Sequence, residues 1–134
     1  MGWIGLHIGE EIDPHCTLAW WDKDNKTRDT LARQLHKSPR LPAIAFVPGV
    51  CAERMLFGRN RDHPVVLLRT GTATLTLVRR LVQALDQRVA WRPHVSLLNG
   101  NEPPEDGIYL FTCLGVHTFA DDGTKRHEYY KFKK

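Results

Sequence analysis

Two short stretches of this chain carry the same pattern, and that repetition limits the fold more than any other feature. Pro14-His15-Cys16-Thr17-Leu18 and Pro93-His94-Val95-Ser96-Leu97 both read Pro-His-x-(Thr or Ser)-Leu. In an extended strand the side chains alternate between faces, so residues two apart point the same way. His15 and Thr17 then share a face, as do His94 and Ser96. Cys16, Leu18, Val95 and Leu97 point the other way, into a core. A proline suits the start of a strand, where its missing N–H is tolerated. The expectation is that the two strands lie side by side and direct two imidazoles and two hydroxyls into one cleft.

The rest of the chain supplies strands and two helices. Trp3 to Ile8 alternates, with Ile4, Leu6 and Ile8 on one side and Trp3, Gly5 and His7 on the other. The first motif strand runs from His15 to about Trp21, and Asp22 to Asn25 offers a helix N-cap. Leu31, Ala32 and Leu35 mark a short amphipathic helix over Thr27 to Lys37, ended by Ser38-Pro39. Ala43 to Val47 reads as a buried strand closed by Pro48-Gly49, and Met55 to Gly58 as a short strand or bulge. Arg59 to Pro64 reads as a basic loop and Val65 to Arg69 as a strand. Leu75, Val78, Leu81, Val82 and Leu85 recur at helical spacing, in a helix ending near Arg88. The second motif strand follows, from His94 to Leu98. After a turn-rich loop, Ile108 to Phe119 reads as one strand bulged at Gly115, and His127 to Phe132 as the last. Helices alternate with groups of strands joined by short connections, which is α+β with each helix covering a sheet face. No linker divides the chain, so residues 1–134 form a single domain with two lobes.

The 134 residues are enough to bury a core without disulfides or metal. The net charge of +4 favours anionic partners but is too small to imply non-specific binding to duplex DNA. Three scattered cysteines, with no Cys-x-x-Cys, read as reduced thiols. No apolar run reaches the roughly eighteen residues of a membrane helix, and the first residues lack a signal-peptide layout. The expected location is cytoplasmic, with no membrane partner.

Breaking a phosphodiester requires one proton taken from the attacking water or hydroxyl and another given to the leaving oxygen. Histidine titrates near pH 6.5, so of two rings one can accept while its twin donates. Thr17 and Ser96 can hold the non-bridging oxygens and steady the charge of the transition state. Such chemistry needs no metal or other cofactor. A zinc site from His7, His15 and Cys16 fails because Cys16 points away from His15 in a strand. No Gly-x-Ser-x-Gly supports a serine hydrolase.

With His15-Cys16-Thr17-Leu18 and His94-Val95-Ser96-Leu97 both in place, the chain resembles the two-histidine (2H) phosphoesterases. These include bacterial 2′-5′ RNA ligase-like proteins, 2′,3′-cyclic phosphodiesterases and phage enzymes that degrade cyclic-oligonucleotide defence signals. The resemblance extends to the Phe57-Gly58 and Val65-Val66-Leu67-Leu68 stretches. It implies a bilobed α+β fold, two antiparallel sheets around a central cleft with helices on the outer faces, and the motifs on central strands. It also implies catalysis by His15, Thr17, His94 and Ser96 on a nucleotide substrate. That substrate would be a 2′,3′-cyclic phosphate, a 2′-5′ linkage, a cyclic oligonucleotide or an RNA end.

Around this centre Trp3, on the cleft-facing side of its strand, is a candidate for stacking on a base. Arg59, Arg61 and His63, in the basic loop, are candidates for a second phosphate. Of Tyr129 and Tyr130, which alternate faces, Tyr129 is the candidate substrate contact. The rival reading is a module that binds cyclic nucleotides or RNA ends without cutting them.

Overall fold

A computed structural model describes residues 1–22, 26–38, 40–84 and 91–133. Two four-stranded antiparallel sheets carry the fold. The first contains β1 (Gly2–His7), β2 (His15–Trp21), β7 (Cys113–Phe119) and β8 (Lys125–Lys131), in the order β2-β1-β7-β8. The second contains β3 (Val47–Phe57), β4 (His63–Thr70), β5 (His94–Ser96) and β6 (Ile108–Phe111), in the order β5-β4-β3-β6. Helix α1 (Lys26–Lys37) follows β2, and α2 (Thr72–Ala84) follows β4.

The alternation that marks these strands in the sequence sets which face is buried. Ile4, Leu6, Cys16, Leu18, Leu114 and Val116 form the inner face of the first sheet. Val66, Leu68 and Val95 do the same in the second, and one apolar cluster joins both sheets to Ala32 of α1 and Leu77, Val78 and Leu81 of α2. Helix α1 packs against β7. It is tied down at both ends, by the Trp21 indole N–H donating to Asp29 at 2.7 Å and by His36 meeting Glu128 at 2.8 Å. Tyr130 completes that anchor by bonding Glu128.

Several expected boundaries move, each for a physical reason. Residues 43–46 are irregular, and the strand begins at Val47 and runs through Pro48-Gly49. Gly49 is there for packing, because a Cβ would come within 2.8 Å of the Phe111 ring and 3.0 Å of Leu68. Pro64 lies inside β4, where its carbonyl still accepts from the Leu97 N–H at 2.9 Å. That strand therefore starts at His63, and the basic loop is shorter than expected. The expected strand from Ile108 to Phe119 is two strands in different sheets. The chain crosses at Thr112, whose N–H bonds the His7 carbonyl at 2.8 Å and whose hydroxyl accepts from the Gly9 N–H at 2.9 Å. Gly115 carries no bulge, since the register runs unbroken past it.

In α2 the buried face is Thr74, Leu77, Val78 and Leu81, whereas Leu75 is exposed. The expected Leu85 and Arg88, and the N-cap at 23–25, lie outside the described residues. The last strand is shifted to Lys125–Lys131, and the second motif strand ends at Ser96, where a single helical turn over Leu98–Gly100 begins.

The two motif strands are not neighbours in one sheet, nor central strands. Each is the edge of its own sheet, and the edges meet: β2 and β5 are in contact. Trp91, just before β5, fastens the junction by donating its indole N–H to the Thr17 carbonyl at 3.2 Å.

Candidate active site

On β2, His15 and Thr17 are half-buried while Cys16 and Leu18 are buried. On β5, His94 and Ser96 are half-buried around a buried Val95. Both motifs therefore keep their polar pair on the accessible face.

Each imidazole is held through the same nitrogen. His15 Nδ1 lies 3.0 Å from the Ile12 carbonyl and 2.9 Å from the Asp13 carboxylate. His94 Nδ1 lies 2.9 Å from the Arg92 carbonyl. These partners accept only, so Nδ1 carries the proton and Nε2 is the nitrogen left to the ligand. Asp13 also stands ready to stabilise an imidazolium formed on His15. Among the described residues nothing bonds the Thr17 hydroxyl. The Ser96 hydroxyl lies 3.1 Å from His63 Nε2 and accepts weakly from the Leu98 N–H at 3.4 Å.

The accessible face of the first sheet holds a second feature. His7 Nδ1 donates to the Glu11 carbonyl at 2.9 Å, which leaves its Nε2 as an acceptor. His117 Nε2 donates to it at 2.9 Å, and His127 Nδ1 donates to His117 Nδ1 at 2.7 Å. His7 and His117 each give one hydrogen bond and take one, and His127 starts the chain by giving one. His7 and His117 are fully buried. Burial, reinforced by neighbouring histidines, lowers His7 to about 4 and His117 to about 3. Gly5 and Gly115 face each other across β1 and β7 and make the space for these rings.

This arrangement sets an acid limit on the fold. Both pKa values lie below the ordinary value of about 6.5, so the unfolded chain binds more protons across that window. Stability is expected to be full above about pH 6.5 and to fall as pH drops toward 4 and then 3. Urea midpoints measured from pH 7.5 to 4 check this, and His7→Phe is expected to flatten the slope.

The sequence-picked neighbours of the motifs divide. Trp3 lines a hollow of about 470 Å³ with His15 and Thr17. Its ring faces are already taken, since it stacks on His117 at 3.9 Å and packs against His15 at 4.5 Å. Trp3 is therefore a wall behind His15 and not an open platform for a base. Tyr129 meets His7 and His117 edge-on at 5.1 and 5.5 Å, so it closes the histidine chain on the side of β8. Arg61 lines a hollow of about 930 Å³ beside Phe57, whereas Arg59 stands exposed in the same turn.

Reasoning from the sequence missed Asp13, Arg92 and Trp20, and it put His63 with the loop arginines, whereas His63 meets Ser96. Asp13 and Arg92 each lie two residues before a motif histidine, which is a usable signal. Trp20 had none, because simple alternation puts it opposite Thr17. A bulge at Leu18 reverses the alternation: Gly5 pairs with Thr17 but Ile4 with Ala19, so Trp3 pairs with Trp20. Cross-strand partners share a face, and Trp20 joins His15 and Thr17.

Among the described residues no group of three or more His, Cys, Asp or Glu is arranged to hold a metal ion. No helix among them is long and apolar enough to cross a membrane.

No protein-family model and no curated protein matches the sequence. Solved structures do match the fold. The crystal structure of E. coli LigT complexed with 3′-AMP superposes with a TM-score of 0.60 at 16% identity, covering 99% of this chain and 98% of that one. LigT complexed with phosphate gives a TM-score of 0.57 at 16% identity, covering 99% and 97%. LigT complexed with ATP gives 0.56 at 15%, with the same coverage. This chain has the bilobed α+β fold of LigT over nearly its whole length.

Proposed function

We propose that the chain is a metal-independent phosphodiesterase acting on a small nucleotide substrate, with His15 and His94 as general acid and base. The observation that carries this reading is the paired presentation of Nε2. Two imidazoles on abutting edge strands each have Nδ1 tied to acceptors of their own chain. The Nε2 of the neutral ring takes a proton from the nucleophile, and the twin, acting as an imidazolium with a proton on each nitrogen, gives its Nε2 proton to the leaving oxygen. Thr17 and Ser96 hold the non-bridging oxygens between them, and His63 orients Ser96. The nucleotide and phosphate complexes of LigT, a protein of the same fold, support a phosphate-centred ligand here. Candidate bonds are a 2′,3′-cyclic phosphate, a 2′-5′ linkage or the linkages of a cyclic oligonucleotide. Water attacking a 2′,3′-cyclic phosphate opens it to a monoester; the free vicinal ribose hydroxyl (2′ in a 3′-5′ linkage, 3′ in a 2′-5′ linkage) attacking a linkage expels the next nucleotide and leaves a cyclic phosphate.

Purified protein incubated in EDTA with each class, products separated by chromatography, tests the proposal. Turnover is expected to persist in EDTA, and its loss on chelation would overturn the metal-free mechanism. Thr17→Ala and Ser96→Ala are each expected to lower kcat/KM by roughly 10- to 100-fold, the size of one lost hydrogen bond to a charged group. Unchanged kinetics in both variants would remove the hydroxyls from the site. The second reading, a module that binds without cutting, requires tight binding with intact ligand recovered after long incubation.

A further inference from the structure

We infer that the cleft is built for an oligonucleotide of at least two nucleotides, with a base laid on Trp20 and a second phosphate held by Arg61 and Arg92. This rests on the phosphodiesterase reading and adds the extent of the substrate to it.

The first observation lies beside His15. Trp20 is 68% exposed, and it lines the same hollow as His15 and Thr17, with Trp21 and Phe119 in the other walls. Trp20 reaches this face only because of the bulge at Leu18. Unlike Trp3, it has no ring contact among the described residues, so a face remains open. A base attached to a phosphate at His15 and Thr17 is a planar group with apolar faces, and it stacks on such a ring. Removing a stacking ring of this kind typically costs roughly 5- to 150-fold in affinity.

The second observation lies beside His94. Its ring packs edge-on against Phe57 at 4.7 Å, and Phe57 lines the larger hollow. Arg54, Arg61 and Arg92 line it too. Arg54 is paired with Glu102 at 3.0 Å. Arg61 and Arg92 have no carboxylate partner among the described residues. Arg92 sits 5.1 Å over the Phe57 ring, and among the described residues the one hydrogen-bond partner of its guanidinium is the Met55 sulfur at 3.3 Å, a weak acceptor. Its guanidinium therefore keeps most of its donors for a ligand, and phosphate fits that fork. A nucleoside 3′-monophosphate has a single phosphate, which would sit between the histidines. A second phosphate comes either with a second nucleotide or as a further phosphate on the same nucleotide, and a nucleoside 3′,5′-bisphosphate that binds as tightly as the dinucleotide would overturn the inference.

Binding distinguishes the two sizes without depending on cleavage. The probes are a nucleoside 3′-monophosphate and a dinucleotide ending in a 3′-phosphate, titrated by calorimetry into the wild type, Trp20→Ala, Trp20→Phe, Arg92→Gln and Arg61→Asn. Asn tolerates the left-handed backbone of Arg61, whose φ is 49°. The wild type is expected to bind the dinucleotide at least tenfold more tightly than the mononucleotide. Trp20→Ala is expected to weaken both ligands and Trp20→Phe to restore most of the loss. The two arginine variants are expected to erase most of the dinucleotide's advantage. Equal affinity for the two ligands, an advantage that survives both arginine variants, or indifference to Trp20→Ala would overturn the inference. Turnover of a dinucleotide ending in a cyclic phosphate is read in parallel. Its absence, with the binding pattern intact, would reject the phosphodiesterase reading while the binding geometry stands.

Discussion

His15→Ala and His94→Ala are each expected to lower turnover by about 10²–10⁴-fold, the range for one lost general acid or base. Neither change should unfold the protein. Both rings are half-buried, and each gives up exposed hydrogen bonding through Nδ1 and ring packing, His15 against Trp3 and His94 against Phe57. Urea midpoints near those of the wild type check that point. Because both proton transfers serve one transition state, the double variant is expected to fall little below the worse single variant. The wild-type rate should trace a bell in pH, and each single variant should lose one limb of it. Near-normal turnover in either folded variant would end the two-histidine mechanism. Asp13→Asn tests the support of His15 separately: the ring stays hydrogen-bonded to the Ile12 carbonyl but loses the carboxylate. A smaller fall than in His15→Ala is expected.

Gly115→Ala is expected to be the most damaging single methyl group that can be added to this fold. A Cβ there would lie 2.4 Å from two atoms of the His7 ring and 2.6 Å from His117 Nε2. Those atoms belong to rigid rings in a buried hydrogen-bonded chain, so no flexible side-chain end can yield. Overpacking a tight core typically costs about 1–3 kcal/mol. Parting His7 from His117 adds about 1–3 kcal/mol for a buried ring nitrogen left without a partner. Together these predict a loss of about 2–6 kcal/mol, a large share of the 5–15 kcal/mol typical of a domain. Chemical denaturation measures it directly. His7→Ala combined with Gly115→Ala should recover part of the loss, because it removes the ring that the methyl strikes. A loss under about 1 kcal/mol in Gly115→Ala would mean that the rings do not meet across that glycine.

The two motifs were legible because a strand's face pattern is local. His15 and Thr17 fall on one side, and Cys16 and Leu18 on the other, whatever the strand pairs with. The same local logic separated Tyr129 from Tyr130: the first meets the histidine chain, and the second bonds Glu128 behind the sheet. Helix α1 was legible from Leu31, Ala32 and Leu35, and in α2 the helix was legible although its buried face is rotated to include Thr74 and Leu77. Helix α1 does end at Lys37, just before Ser38-Pro39, and Pro14 does precede β2, but at Gly49, Pro64 and Gly115 the reading of glycine or proline as a break or bulge failed. Gly49 and Gly115 sit inside strands because a neighbouring ring needs the space, and Pro64 because its carbonyl is the group in use.

The sequence by itself determined which side of its strand each motif residue stands on and which of them carry a donor or acceptor. Strand periodicity and the donor and acceptor inventory of each side chain are properties of the local chain. Only the tertiary structure decided which strands abut, where the chain crosses between sheets at Thr112, and that an extra residue at Leu18 turns Trp20 toward the site. It also brought His7 and His117 within hydrogen-bond distance from opposite ends of the sequence. Those outcomes depend on pairing between segments far apart in the chain. Such pairing is set by burying both sheets in one core, and no local pattern encodes it.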